Sequence, residues 1–522
     1  MSQFEAILGI LLVAVLLAAV ARRVGAPYPA FLALGGAVLA FLPGMPTLSI
    51  QPEVALALFV APVLLDAAYD TSPRDLRDHW APVTSLAVVS VVLTTVAVAL
   101  VARTLVPEMP MAAAVALGAI VSPPDAAAAI AVLRQLRPPH RILTILSGES
   151  LLNDATALLI YRLAIGAVAA SAFSIGSVAP TLLLVVAGSV LLGVAIAPLV
   201  LRMTRSVRDA PTAIIFQFIF TFGVWILADR LGLSSVLAMV SFAIAVARRA
   251  PESTPARIRL PSYAVWDTAV FVLNVLAFVF IGLQIRPILA SLEPGIRKHY
   301  LFVAGAVLLT VIVVRIAWVM LHVSVALWRI RRFGFHPRRP IQPPTREGGI
   351  VISWAGMRGI ITLAAALAIP ETIHGEPFPF RGLIVLTAFS VVLGTLVLQG
   401  LTLRPLIQAL DLKDDDPVGR EVEEARKRAL AAALSSFEGD TSPAAEAVRQ
   451  EFTSHLGRAG VDASAREESH QDIHRRALDA ARRVVFDMRA RDEIGDDAFH
   501  LLEEEFDRVE MGSGARADAE PA

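Results

Sequence analysis

The stretch Ser147–Tyr161, SGESLLNDATALLIY, sets Glu149, Ser150, Asn153 and Asp154 inside an apolar run that extends from Ile142 to Val168. An ionised carboxylate at membrane depth costs roughly 2.5–3.5 kcal/mol on insertion scales. Read as a helix, Glu149/Asn153 and Ser150/Asp154 are i, i+4 pairs, and Ser150/Asn153 is an i, i+3 pair. Four polar side chains therefore gather on one stripe backed by leucines, and that stripe must face protein or water rather than lipid. One reading is a buried ion pair that only holds helices together. The other is a working site, since ionisable residues inside a membrane are functional by default. A carboxylate that accepts either a proton or a metal ion is sufficient for exchange, because the two ligands compete for it.

Two further runs carry chemistry. In MAAAVALGAIVSPPDAAAAIAVL, Pro123 and Pro124 lack N–H groups, so the carbonyls of Ala119 and Ile120 lose their helical partners. Such groups must be satisfied or line a cavity at membrane depth. With Asp125 beside the break, the interruption offers oxygens to a cation; a purely structural kink is the alternative. In IVISWAGMRGIITLAAALAIP, Arg358 lies between Gly356 and Gly359. Arginine stays protonated and needs an anion, for which Glu149 and Asp154 are candidates. Asp66, closing LFVAPVLLDAAYD, either lines an entry funnel or is solvated near an interface. Arg162, Asp267, Asn274 and Arg315 read as helix–helix contacts. His470 and His474 have i, i+4 spacing but no third ligand, which favours a solvated helix face.

The elements that must position these residues are membrane helices. The chain of 522 residues is 56% hydrophobic with no Cys, which excludes disulfides and thiolate metal sites. Thirteen apolar runs are long enough to span, counting broken ones: near 4–21, 28–43, 53–71, 81–102, 110–132, 142–168, 176–201, 211–229, 232–248, 262–285, 300–328, 349–370 and 382–409. The first reads as a retained span rather than a signal peptide. Loops after odd-numbered runs hold 20 Arg, against 6 Lys and Arg after even-numbered ones. That bias puts the N-terminus outside and the C-terminal tail in the cytoplasm. The fifth run and the twelfth, which carries Arg358, are seven apart, as two inverted six-helix repeats would give if each held its irregular helix at the same place. The reading is an all-α integral membrane protein of about thirteen transmembrane helices plus a helical cytoplasmic tail.

Charge divides the chain. Residues 1–410 carry 30 Lys and Arg against 18 Asp and Glu, net +12, and residues 411–522 carry 16 against 28, net −12. The expected domains are a membrane domain over 1–410, a helical tail over 411–511 and a disordered end over 512–522. In the tail, VGREVEEARKRALAAALSSF reads as a helix, Glu438–Pro443 as a break, and Ser469–Ala490 and Asp496–Met511 as further helices. Scarce Lys beside abundant Arg and Ala points to a GC-rich bacterial genome.

Phosphate-cradling glycine motifs, HExxH and GxSxG are all missing, so an intramembrane enzyme has no support. A broken helix with buried carboxylates suits alternating access better than a pore. What remains is a proton-coupled secondary transporter of a small cation, with an ion-sensing membrane protein as the second class. Lys298 is the only Lys in residues 1–410 and lies in a loop, so no buried lysine releases a proton during a cycle.

GESLLNDATALLIY resembles the Asn-Asp helix of sodium/proton antiporters of the NhaP and eukaryotic NHE branch. WAGMRGIITLAAAL is similar to their Arg helix, FVLNVLAFVFIGLQI and VLQGLTLRPLI are similar to further stretches, and IGDDAFHLLEEEFDRVE resembles the tail of bacterial members. The resemblance implies that Asp154 binds cation and proton in turn. It implies a cation site of Asp154, Ser150, Asp125, the Pro124 backbone carbonyl and Ser122. Asn153 then marks the electroneutral branch, and Glu149 and Arg358 form a buried ion pair. Asp125 matches the Asp of a Thr-Asp-Pro crossover, with Pro124 in place of the Thr and Ala126 in place of the Pro. The family further implies a homodimer in a bacterial inner membrane that exchanges Na+, or Li+ or K+, for H+ with no cofactor and no nucleic-acid partner.

Overall fold

Alanine-, leucine- and valine-rich runs form helices here because caps and breakers close them at their ends. The computed structural model describes all residues except 1, 25–26, 43–50, 134–135, 137, 170–174, 206, 208, 251–253, 336–341, 374, 413–415, 456–466 and 515–522. Helices coincide with the apolar runs. They are Ser2–Val24, Tyr28–Leu39, Pro52–Tyr69, Trp80–Leu105, His140–Ala169, Ile175–Thr204, Ala210–Arg230, Ser235–Ala247, Ala256–Leu283, Pro294–Phe333 and Arg381–Leu410. Two further runs are each split, into Met111–Val121 with Ala126–Leu133 and into Arg346–Trp354 with Ile360–Leu367. Among the described residues, seven helices are long and apolar enough to cross a membrane, and three more apolar helices are shorter. Large side chains such as Leu183, Leu184, Leu191 and Leu309 stand exposed on the outer faces, where a bilayer would cover them.

Local chemistry sets the boundaries. The runs around 211–229 and 232–248 are distinct helices because Gly232 takes φ +70, open to glycine, and Ser234 Oγ caps Leu237 N. Asp209 and Thr345 cap Thr212 N and Gly348 N at 2.9 and 3.0 Å. The all-helical expectation is modified by a two-stranded hairpin, Thr372–Ile373 against Glu376–Pro377, turning at Gly375 with φ +86.

The site is held where the split helix Met111–Val121 packs on Trp80–Leu105 and His140–Ala169, and Ile360–Leu367 packs on Arg381–Leu410. One apolar cluster runs from Ile10 to Ile407, and a separate one from Val422 to Phe506. The second belongs to the tail helices Pro417–Ser435, Pro443–His455, Glu467–Ala490 and Asp496–Gly514. The expected break falls between Pro417–Ser435 and Pro443–His455; the second of these helices was not expected, and Ser442 and Pro443 start it as N-cap and first-turn proline, with Ala445 N donating to Ser442 Oγ. Of the expected disordered end, 512–514 continue the last helix and the rest lies outside the described residues, as do the side chains of His470 and His474.

The acidic tail seats on the basic rim of the body. Arg74 Nη2 donates to both Glu421 oxygens at 2.8 and 2.9 Å. Arg259 is buried against Asp507 and Glu503, donating to Asp507 Oδ2 at 2.6 Å and lying 3.0 Å from Glu503 Oε1. Tyr69 stacks on His500. The opposite net charges of the two segments thus meet in space.

Candidate ion-binding site

The two split helices meet at their breaks, where Asp125 N donates to Met357 O at 2.7 Å. Of the carbonyls freed by Pro123 and Pro124, that of Ala119 finds a partner close by, and other carbonyls around the break are satisfied by side chains. Ser122 Oγ donates to Ala119 O at 3.0 Å, and Asn153 Nδ2 donates to Pro124 O at 2.8 Å. Arg358, 1% exposed, donates from Nε to Val121 O at 3.1 Å and from Nη2 to Ser122 O at 3.3 Å, and also to Gly356 O. Its own N–H goes to Thr395 Oγ1 at 3.0 Å. A guanidinium at the end of Met111–Val121 therefore satisfies the orphan carbonyls and the negative end of that helix dipole. The glycines beside it are required by close approach: a Cβ on Gly359 would strike the Asp125 carboxylate, and one on Gly356 would strike Arg315.

The expected pairing of Glu149 with Arg358 does not occur. Glu149 Oε1 and Oε2 accept from Arg315 Nη1 and Nη2 at 2.6 and 2.9 Å, with both side chains 1% exposed. Arg315 Nη2 also donates to Ile352 O at 3.0 Å. The fork suits a carboxylate bidentately, and Arg315 reaches Glu149 while Arg358 is committed to carbonyls. Arg315 is thus a helix–helix contact, as its type suggested. Two permanent cations in separate apolar runs look alike in sequence, and nothing in the spacing says which one meets Glu149.

Asp154 (5% exposed), Ser150 and Asp125 share one cavity of about 610 Å³. Asp66 and Asn274 line it as well. Ser122 and Pro124 are buried at the break, their hydroxyl hydrogen and carbonyl already engaged as above. A carbonyl retains a second lone pair, so the Pro124 oxygen can still serve a cation. Asp267 is exposed rather than packed between helices. Arg162 pairs with Asp229 at 3.3 Å beside a second, smaller cavity of about 190 Å³ that Ala155 and Leu158 also line. The helix His140–Ala169 thus presents Asp154 to one cavity and Ala155 to another.

Residues 10–409 match the sequence profile described as "Sodium/hydrogen exchanger, transmembrane". The chain belongs to this family. The exchanger is 35% identical over 425 residues to an uncharacterised Na+/H+ exchanger of Mycobacterium tuberculosis, covering 80% of this chain and 76% of the relative. It is 28% identical over 504 residues to the sodium, potassium, lithium and rubidium/H+ antiporter of Bacillus subtilis, covering 93% and 74%. Its fold is similar to that of the sodium proton antiporter MjNhaP1 from Methanocaldococcus jannaschii, with a TM-score of 0.59 at 18% identity over 79% of this chain and 99% of that one. The exchanger is a multi-pass membrane protein that carries out cation:proton antiport.

Proposed function

We propose that this exchanger swaps one monovalent cation for one proton per cycle, with Na+ as the principal cargo and Asp154 as the group that carries each in turn. The observation behind this reading is the placement of Asp154, a buried carboxylate that shares a cavity with Ser150 and Asp125 beside two helix breaks. Deprotonated Asp154 attracts the cation. Ser150 Oγ, the Asp125 carboxylate and the Pro124 carbonyl add oxygen ligands of the kind that replace a hydration shell, with Ser122 beside them. Protonation of Asp154 removes its charge and releases the ion. Arg315 and Arg358 are held in place by Glu149 and by backbone carbonyls, and Lys298, the one lysine of residues 1–410, is exposed, so Asp154 alone exchanges its ligand and each half-cycle moves the same charge. Asn153 clamps Pro124 and supplies no second carboxylate.

In this reading the body over 1–410 makes thirteen crossings as two inverted six-helix repeats, and works as a homodimer in a bacterial inner membrane. The N-terminus lies outside, and the tail over 411–511 lies in the cytoplasm. The larger cavity is then the cytoplasmic approach and the smaller one its external counterpart, with Asp154 and Ala155 at the division between them. K+/H+ exchange is the second reading, favoured by the four cations in the name of the Bacillus subtilis relative.

The test is Asp154→Asn in proteoliposomes carrying a pH gradient, with Na+, Li+ and K+ added in turn. Wild type should dissipate the gradient. The variant should not, while unfolding at a wild-type temperature, since a neutral amide is easier to bury than a carboxylate. Near-wild-type exchange by Asp154→Asn would overturn the assignment.

A further inference from the structure

Three ligating groups converge at the rim of the larger cavity, where the tail meets the body. Asp75 lies in the short helix Pro73–Asp78, His140 opens the helix His140–Ala169, and Asp497 lies in the first turn of Asp496–Gly514. His140 Nε2 is 3.3 Å from Asp75 Oδ2 and 3.6 Å from Asp497 Oδ2, and the three ligand atoms all lie within 4.8 Å of one another. Tetrahedral bonds of about 2.0–2.1 Å place donor atoms about 3.3–3.4 Å apart. Both spacings at His140 are already near that edge, and a small inward shift closes the third.

The surroundings point to a positive occupant. His140 Nε2 faces the two carboxylate oxygens and Thr144 Oγ1 at 3.2 Å, all of them able to accept. Neither guanidinium nearby reaches the oxygens that face His140. Arg74 binds Asp75 Oδ1 at 3.2 Å and Glu421, and Arg141 Nη1 donates to Gln342 O at 3.0 Å. Arg74 on Oδ1, together with the hydrogen bond from Asp75 N to Ser72 Oγ, fixes Asp75 so that Oδ2 faces His140, the outer support that metal ligands need.

We propose that Asp75, His140 and Asp497 form a site for a divalent transition-metal ion of the Zn2+ class, which clasps the tail to the body. One imidazole and two carboxylates favour Zn2+ or Co2+ over Mg2+ and Ca2+, which prefer oxygen throughout, and three protein ligands leave a fourth position for water. Two ligands come from the body and one from the tail, so the ion binds the docked arrangement best. Ion at about 100 times its Kd shifts docking about a hundredfold. The clasped tail helix lines the cavity that holds Asp154, so bound metal slows access to it. That last consequence rests on the role proposed for Asp154, whereas metal binding and tail docking do not.

The full-length chain, washed with chelator, is titrated with Co2+ and followed by visible absorption, and tail protection is followed by hydrogen exchange with and without Zn2+. The expected result is one Co2+ per chain with the intense band of a four- or five-coordinate site, displaced by Zn2+, and slower exchange in Asp496–Gly514 when Zn2+ is bound. Asp497→Asn should weaken binding at least about tenfold and abolish the added protection. Asp497→His keeps a ligand and should retain both, which also covers the case in which Asp497→Asn fails to fold. An unchanged band in Asp497→Asn would mark an adventitious ion only and overturn the site. So would the lack of stoichiometric binding in wild type, or a tail whose exchange ignores Zn2+.

Discussion

Replacing Arg315 with Gln tests the assignment of the buried ion pair. Arg315 and Glu149 are each 1% exposed and joined by two short hydrogen bonds, and Arg315 also serves Ile352 O. Removing one partner of such a pair leaves a buried charge unmatched and costs about 3–5 kcal/mol. With unfolding entropy of about 2.1 cal/mol/K per residue, a chain of 522 residues has a total near 1.1 kcal/mol/K, so the midpoint should fall by roughly 3–5 °C. Adding Glu149→Gln removes the stranded carboxylate. The double variant should regain much of the loss, though not all, since Ile352 O still lacks its donor. Thermal unfolding of the purified variants, followed by tryptophan fluorescence in one detergent, measures each midpoint. Adding Glu149→Gln to Arg358→Gln should restore much less, because Arg358 contacts carbonyls. A double variant no more stable than Arg315→Gln alone would refute the pairing, as would an Arg315→Gln single variant as stable as wild type.

Gly359→Ala drives a methyl group into the Asp125 carboxylate and should raise the KM for Na+ at least about tenfold in protein that still purifies as folded; an unchanged KM would remove Asp125 from the site. Arg259→Gln removes the body's charge partner of Asp507 and Glu503, which are 0% and 5% exposed, leaving Asp507 only Arg482 of the tail itself, and should release the tail, seen as limited proteolysis between body and tail at least about tenfold faster than wild type. Equal cleavage rates would mean that this cluster does not hold the tail. One-for-one exchange moves no net charge, so Na+/H+ exchange in proteoliposomes should ignore a valinomycin-set potential. A net charge crossing would gain about 2.3 kcal/mol per 100 mV, and a severalfold change in rate would show it.

The residues along single segments determined a good deal about this protein. Apolar runs set the helices, because each run must satisfy its own backbone wherever it lies in lipid. Pro123–Pro124 marked one break through the missing N–H groups, and the polar stripe of Glu149, Ser150, Asn153 and Asp154 followed from helical spacing alone. The opposite net charges divided the chain into a basic body and an acidic tail. The break after Pro417–Ser435 was legible at Glu438–Pro443, and Ser442 with Pro443 also carried the local start signal of the helix Pro443–His455.

Tertiary structure decided which groups became partners. Glu149 took Arg315 from a helix 166 residues away rather than Arg358, because the choice depends on where two helices stand in space and on what else each guanidinium must satisfy. Arg358 became the cap of a broken helix for the same reason: carbonyls freed at a break outcompete a more distant carboxylate for a fork that reaches only a few ångströms. The acidic tail could have met the basic rim in many ways. Only the folded surfaces placed Glu421 on Arg74, Asp507 on Arg259 and Asp497 beside His140, since charge sets attraction over distance while shape and burial set registry.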